Sequence, residues 1–160
     1  MPTFLDMTGF EDDESPLNKE LLNIVFCGKL KEGEKLIDVI RYGQMHGVEA
    51  VKNKYFGPTR YGLVYCRVNR VIVVCSADPD LSIRVSFFEA VKEVTTRERD
   101  ITLYGVLTQA DKYTRNEVEV KRKEKNFMEA LGITKTRFAR KNYCPDVDPD
   151  MSYEDNIVPS

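Results

Sequence analysis

The run Val71-Ile72-Val73-Val74-Cys75 decides the fold, because it is continuous, uncharged and rich in β-branched side chains. Such a run is typical of a strand buried on both faces of a parallel sheet. Ile101 to Thr108 predicts a second buried strand. Between the two strands, an apolar stripe predicts a helix that contains Ile83, Phe87, Phe88, Ala90, Val91 and Val94.

The same alternation continues towards the carboxyl terminus. A helix is predicted from Asn116, which is suited to cap its first turn, to Gly132, where a left-handed cap fits. Arg137 to Tyr143 can form a last strand. Strand, helix, strand, helix, strand is the order of an α/β fold, so we predict a mostly parallel sheet with flanking helices.

The amino-terminal part carries weaker signals. Pro2 to Asp6 is interpreted as a short strand that leads into an exposed acidic loop. Pro16 to Cys27 has apolar residues at helical spacing and predicts a helix, with Gly28 at the position of a left-handed cap. Beyond it, a short helix from Leu36 to Tyr42 is predicted, and Tyr61 to Val68 is strand-like.

The composition is that of one soluble domain of ordinary size. The chain has 160 residues, of which 42% are hydrophobic and 31% charged. No apolar run approaches the roughly 20 residues of a bilayer helix, and the first residues lack a secretory signal, so we expect a cytoplasmic protein without membrane partners. We expect a domain over residues 1–144 and an irregular tail over residues 145–160, which contain four Asp, one Glu and three Pro.

Charge and cysteine usage exclude several classes of function. The formal net charge of −2 argues against general binding of nucleic acids. The basic run Lys121 to Lys125 lies in a predicted helix and is interpreted as its solvated face. The cysteines are scattered without a Cys-x-x-Cys pair, so we predict reduced, mostly buried thiols rather than zinc ligands or disulfides. They are Cys27, Cys66, Cys75 and Cys144.

Ligands of open parallel sheets bind outside the carboxyl ends of the strands, so the residues after each predicted strand form the candidate site. These residues are Asp6 to Gly9, Cys75 to Asp80, Thr108 to Asp111 and Lys141 to Cys144. In an Asp-x-x-Gly tetrad such as Asp6 to Gly9, the carboxylate can hold a water on Mg²⁺ while the glycine amide faces a terminal phosphate. In Thr108-Gln109-Ala110-Asp111, the carboxylate can accept two hydrogen bonds from a guanine edge. Each tetrad alone can equally be an ordinary turn or a local cap, but their joint order favours a G-domain.

Several segments, taken in order, resemble the interferon-induced protein 44 family of GTPase-like proteins. They are Pro2 to Asp12, Val71 to Val74, Leu107 to Asp111, Leu131 to Ile133 and Lys141 to Cys144. The resemblance runs from residue 2 to about residue 158 and is least clear between Lys29 and Arg67. It implies a guanine-nucleotide-dependent role in cytoplasmic innate immunity.

The resemblance also implies a nucleotide site for GTP or GDP with Mg²⁺. Its residues would be Asp6, Gly9, Thr108, Gln109, Asp111 and Asn142. Asp6 and Gly9 fall on the switch II motif, and Asp6 would help to bind the Mg²⁺ ion. The tetrad from Thr108 to Asp111 falls on the base-specificity motif, and Asn142 with Tyr143 lies near the last base-contacting loop.

The chain departs from this family pattern in two respects. Its sequence starts at the Asp-x-x-Gly strand, so the resemblance implies an incomplete P-loop NTPase-like G-domain without the first strand and the P-loop. Gln109 replaces the lysine that usually packs along the base, so we expect weak or no nucleotide binding. Because the P-loop handles most of the phosphate charge, we expect no independent hydrolysis.

The alternative is a non-enzymatic interaction or scaffold module that uses the remaining sheet. Loss of the first strand would uncover the edge of its neighbour, which invites pairing with another chain. We therefore expect a homodimer or a protein partner that covers the sheet edge.

Three other patterns carry less weight. Gly28 to Leu36 has the glycine spacing of a Walker A loop, but Glu34 and Lys35 stand where the phosphate-binding lysine and the Mg²⁺-binding hydroxyl belong. His46 lies in a predicted loop without an evident orienting partner, which argues against Cys-His catalysis. Glu11 to Glu14 lack the ligand pattern of a calcium loop and are interpreted as a solvated loop.

Overall fold

A computed structural model of the chain describes residues 7, 10–13, 15–30, 33–55, 68–98 and 100–141. This part contains helices and strands in the following order: α1 (Pro16–Phe26), α2 (Leu36–His46), α3 (Val48–Tyr55), β1 (Arg70–Ser76), α4 (Val85–Arg97), β2 (Thr102–Thr108), α5 (Glu117–Leu131) and β3 (Phe138–Lys141). Short 3₁₀ helices at Ala110–Asn116 and Lys135–Arg137 precede α5 and β3. None of the helices in these ranges is long and apolar enough to cross a membrane.

The three described strands form one parallel sheet in the order β1-β2-β3. Parallel neighbours need a crossover between them, which α4 and α5 provide. The register pairs Ser76 with Thr108, and Thr108 with Lys141, so the strands end level with one another. The predicted α/β class, with a parallel sheet and flanking helices, is confirmed.

One face of β1 is buried and the other is open, so the prediction of a strand buried on both faces is wrong. Val71 and Val73 are buried, whereas Ile72 and Val74 are 57% and 60% exposed. The sequence could not show this, because every residue of the run is apolar and no alternation of polarity distinguishes the two faces. Helices α4 and α5 lie on the buried face of the sheet and pack against each other there. The rings of Phe88 and Phe127 lie 5.4 Å apart at this contact.

Helix α1 follows from local signals at both of its ends. Ser15 Oγ accepts a hydrogen bond from the Leu17 amide at 3.1 Å, and Pro16 occupies the first turn, where its missing N–H is no loss. Gly28 follows the helix with φ of 68°, a conformation that favours glycine. The predicted helix and its glycine cap are confirmed, so Gly28 does not follow a strand as a Walker A loop requires.

Helix α2 is longer than predicted and is followed by a helix that was not predicted, α3. It ends at His46, whose ring lies 4.4 Å from that of Tyr42, so the expectation that His46 lies in a loop is wrong. Gly47, with φ of 82°, separates the two helices. Two short helices broken by one glycine give a weak periodic signal, which explains why α3 was missed.

The acidic segment is exposed, as predicted, but its described carboxylates also bind the protein. Asp12 Oδ1 accepts from the backbone amide of Phe87 in the first turn of α4 at 2.9 Å. Asp13 Oδ1 accepts from the side-chain amide of Asn18 at 2.7 Å. The nominal capping residue Arg84 makes no capping contact with its side chain, so Asp12 caps α4 from a distant part of the chain.

Helix α5 ends as predicted but does not begin as predicted. Gly132 adopts a left-handed conformation at its carboxyl end, with φ of 63°. Asn116 occupies the capping position without a side-chain capping bond, so its predicted role is wrong. The basic run is a solvated face only in part, because Lys123 is buried on the same helical stripe as Val120 and Phe127.

Several predictions fall outside the described residues. They concern the strand from Pro2 to Asp6, the strand-like stretch from residue 61 to 67, the tail 145–160, Cys66 and Cys144, and the candidate site residues Asp6, Gly9 and Asn142.

Candidate ligand site at the carboxyl edge of the sheet

The candidate site is built where the three strands end. The Ala77 amide donates to the Thr108 carbonyl at 2.8 Å, which extends the pairing of β1 and β2 by one step. Lys141 ends β3 beside Thr108 and is exposed. The structure therefore brings together the predicted segments Cys75 to Asp80 and Thr108 to Asp111, with Lys141 next to them.

The tetrad from Thr108 to Asp111 turns sharply as it leaves the central strand. Thr108 Oγ1 donates to the Cys75 carbonyl at 3.3 Å, which joins the two strand ends. Gln109 is left-handed, with φ of 62° and ψ of 24°, and no other described residue except glycine has a positive φ. This conformation costs a non-glycine residue roughly 1–2 kcal/mol, so the surroundings must hold it in place. Asp111 follows, half-buried, in the first turn of the 3₁₀ helix.

The side chain of Gln109 faces the end of β1. Ser76 Oγ donates to Gln109 Oε1 at 3.5 Å and accepts from the Asp78 amide at 3.1 Å. The serine thus links the tetrad to the loop between β1 and α4. This link was not predicted, because it depends on the left-handed turn at residue 109.

The loop between β1 and α4 carries the carboxylates Asp78 and Asp80. Asp78 Oδ1 accepts from the Asp80 amide at 2.9 Å. Asp78 also accepts from the hydroxyl of Tyr113 in the 3₁₀ helix, and this hydrogen bond, together with burial and nearby acidic charge, raises the pKa of Tyr113 above its ordinary value. Asp78 therefore serves as an internal acceptor that ties the loop to the 3₁₀ helix.

Lys123 reaches the same loop from α5. Its Nζ donates to the carbonyl of Asp78 and, at 2.6 Å, to the carbonyl of Leu81. Lys123 is only 7% exposed. Lys123 lies three residues after Val120 and four residues before Phe127, which places it on the apolar stripe of α5. This spacing could have revealed the burial of Lys123 from the sequence.

The described cysteines, Cys27 and Cys75, are both half-buried. Burial raises the pKa of the Cys75 thiol, and the charge of Lys123 opposes this shift. A raised pKa keeps the sulfur protonated and weakly nucleophilic at neutral pH. Cys27 and Cys75 are less buried than predicted.

Within the described ranges, no group of three or more His, Cys, Asp or Glu side chains is arranged to hold a metal ion. Comparisons with protein-family models, with curated proteins and with solved structures found no match. What the chain does must therefore be inferred from the site itself.

Two carboxylates of the described residues lie at the carboxyl edge of the sheet. Asp78 accepts from the Asp80 amide, and Asp111 stands in the tetrad after the central strand, where ligands of parallel sheets bind. A carboxylate can accept two parallel hydrogen bonds from a planar group with adjacent N–H donors. Lys141 adds an exposed positive charge at the end of β3. This combination suits a heterocycle with adjacent donors that carries negative charge elsewhere.

Proposed function

We propose that the chain recognises a guanine nucleotide through Asp111 and is a pseudo-GTPase of the type found in the interferon-induced protein 44 family. The observation that supports this proposal most is the position of the tetrad from Thr108 to Asp111. It follows the central strand of a parallel sheet, where ligands of such sheets bind. A role in cytoplasmic innate immunity is part of the same proposal.

The chemistry of guanine fits a single carboxylate. Guanine presents a ring N–H and an exocyclic amino group side by side, and Asp111 would accept from both. Adenine presents an unprotonated ring nitrogen at the first of these positions, which a carboxylate repels. A buried acceptor left without its donor loses affinity, and this loss selects guanine over adenine.

Gln109 limits the strength of binding. The family pattern has a lysine here, whose stem packs along the base, whereas Gln109 bonds to Ser76. We expect affinity no tighter than micromolar. On the resemblance, Asp6 and Gly9 would serve Mg²⁺ and the terminal phosphate, and Asn142, next to Lys141 in the chain, would flank the base.

Hydrolysis is not part of the proposal. The segment from Gly28 to Leu36 has the glycine spacing of a phosphate loop, but Glu34 stands where the phosphate-binding lysine belongs. A carboxylate there repels phosphate, whereas phosphoryl transfer depends on positioning and on positive charge at the phosphates. The proposed activity is therefore binding.

Calorimetric titration of the chain with GDP, GTP and ADP in Mg²⁺ tests the proposal. We expect micromolar binding of GDP and GTP but not ADP, and loss of binding in Asp111→Ala. Asp100→Ala is the matched control, because Asp100 lies at the opposite end of β2 and is exposed. Absence of guanine-nucleotide binding by the folded chain would refute the proposal.

The variant Asp111→Asn adds a test of the role of the carboxylate. An amide replaces one acceptor with a donor, so it mismatches the amino group of guanine but matches the carbonyl that xanthine carries at the same position. We expect this variant to lose GDP and to gain xanthosine diphosphate. Equal loss of both ligands would show that Asp111 does not face the base.

A second candidate function is that of an interaction module. It is favoured by the outer face of β1, where Ile72 and Val74 are more than half exposed, and by the position of β1 at one side of the described sheet. A second copy of the chain would cover this apolar face. Sedimentation should show a dimer that the double variant Ile72→Ser, Val74→Ser dissociates, while Val118→Ser, which alters a 79% exposed residue on α5, has no effect.

A further inference from the structure

Lys123 stands out among the polar residues of α5 because it is buried. A buried amino group is stable only when its hydrogens find acceptors. Lys123 Nζ finds two in the loop between β1 and α4, the carbonyls of Asp78 and Leu81. These contacts span more than forty residues of sequence and fix the loop to α5.

The contacts continue from this loop to the tetrad along two routes. On the first, the Asp78 amide donates to Ser76 Oγ, which donates to Gln109. On the second, the Asp78 carboxylate accepts from Tyr113, which belongs to the 3₁₀ helix that begins directly after Gln109. Asp78 is thus the junction between Lys123 and both sides of the turn.

This network surrounds the strained backbone of the tetrad. Gln109 has a left-handed backbone that an isolated chain would seldom adopt. Such a conformation persists only when neighbouring contacts hold it. The contacts that do so converge on Asp78, whose own carbonyl is held by Lys123.

We propose that Lys123 is a positioning residue for the turn from Thr108 to Asp111, acting through Asp78. It keeps the loop between β1 and α4 against the turn and so fixes where the Asp111 carboxylate stands. The claim that this carboxylate binds guanine rests on the proposed function. The claim that Lys123 holds the turn in place is independent of it.

Hydrogen exchange of single amides tests the positioning role in the variant Lys123→Met, which keeps the length of the side chain and removes the donors. The Asp80 amide, bonded to Asp78, reports on the loop, and the Lys112 amide, bonded to the Gln109 carbonyl at 3.1 Å, reports on the turn. We expect both to exchange at least about tenfold faster relative to amides of the β1–β2 ladder, because bonds to a charged donor are lost. The control is Lys121→Met, whose side chain is 69% exposed on the same helix. Faster exchange at Asp80 alone would overturn the proposal.

A second variant covers the case in which Lys123→Met unfolds. Ser76→Ala combined with Tyr113→Phe removes both routes to the turn and leaves Lys123 and the core in place. We expect the Lys112 amide to exchange faster while the ladder amides are unchanged; an unchanged Lys112 amide in this folded variant would refute the network.

Titration with GDP separates this inference from the proposed function. If the chain binds GDP, Lys123→Met should raise the Kd by about tenfold or more, and an unchanged Kd would overturn the positioning role. If the unaltered chain binds no GDP, the proposed function fails, and the exchange of the Lys112 amide alone decides whether Lys123 holds the turn.

Discussion

Replacement of Gly105 by alanine tests how tightly α5 is packed on the sheet. Gly105 lies in the middle of β2, in register with Val73 and Phe138 on its two neighbours. A methyl group at this position would lie 2.7 Å from Ile133 Cδ1, 3.0 Å from Phe127 Cε1 and 3.3 Å from Leu131 Cδ1. The first distance is far below contact between carbon atoms, so the side chain of Ile133, which follows α5, must shift, and Phe127 and Leu131 of α5 must give by a few tenths of an ångström.

The expected cost follows from two opposing effects. Overpacking of a core by one methyl group costs about 1–3 kcal/mol. Alanine recovers about 0.5–1 kcal/mol, because the unfolded chain of the variant has less conformational freedom than glycine. We therefore expect Gly105→Ala to lower the free energy of unfolding by roughly 1–2 kcal/mol and the Tm by roughly 2–8 °C.

Urea unfolding followed by circular dichroism measures this change, and a second substitution identifies its cause. Ile133→Val deletes the carbon atom that the new methyl would meet first, at a cost of about 0.5–1.5 kcal/mol when made alone. If the clash is the cause, the double variant should be more stable than the sum of the single effects predicts, by about 1 kcal/mol. An additive double variant, or a neutral Gly105→Ala, would refute the reasoning.

Three further predictions concern caps, the turn and pH. Asp12→Ala should lower the free energy of unfolding by about 1 kcal/mol, because the amide of Phe87 loses its acceptor, while Asp12→Asn should cost less in the same urea titration. Gln109→Lys should bind GDP more tightly than the unaltered chain in calorimetry if the base lies over this side chain, and unchanged affinity would place the base elsewhere. The hydrogen bond from Tyr113 to Asp78 raises the pKa of Tyr113 above its ordinary value near 10. The stability that this bond contributes is therefore fully present below about pH 10 and is lost as the pH rises through the raised pKa. The stability difference between the unaltered chain and Tyr113→Phe should accordingly stay constant up to about pH 9 and shrink as the pH rises above about 10 in urea titrations.

The order of elements could be predicted because the middle of the chain has strong and distinct periods. The β-branched run of β1 and the helical stripe of α4 leave little ambiguity between strand and helix. The periodicity could not predict which faces of the strands are covered by helices. The residues of β1 from Val71 to Cys75 are all apolar, so Ile72 and Val74 look like core until the positions of the helices are known.

The candidate site was predictable in its position but not in its internal contacts. Strand β2 ends at Thr108, so Thr108 and Asp111 lie at the carboxyl edge of the sheet, where the rule for parallel sheets expects a ligand. The bonds that hold this edge join residues distant in sequence, such as Lys123 with the Asp78 carbonyl, and they depend on the left-handed backbone of Gln109. Periodicity and short motifs carry no information on such contacts.

The open outer face of β1 also affects what happens when the domain unfolds. Val71 to Cys75 is short, uncharged and rich in β-branched residues, the composition that favours stacking of strands from different chains. In the folded chain, pairing with β2 occupies one edge of this segment. We expect heating to release that edge and chains that meet in this state to associate irreversibly. The useful lifetime of the protein is then governed by its rate of unfolding and its concentration rather than by its equilibrium stability.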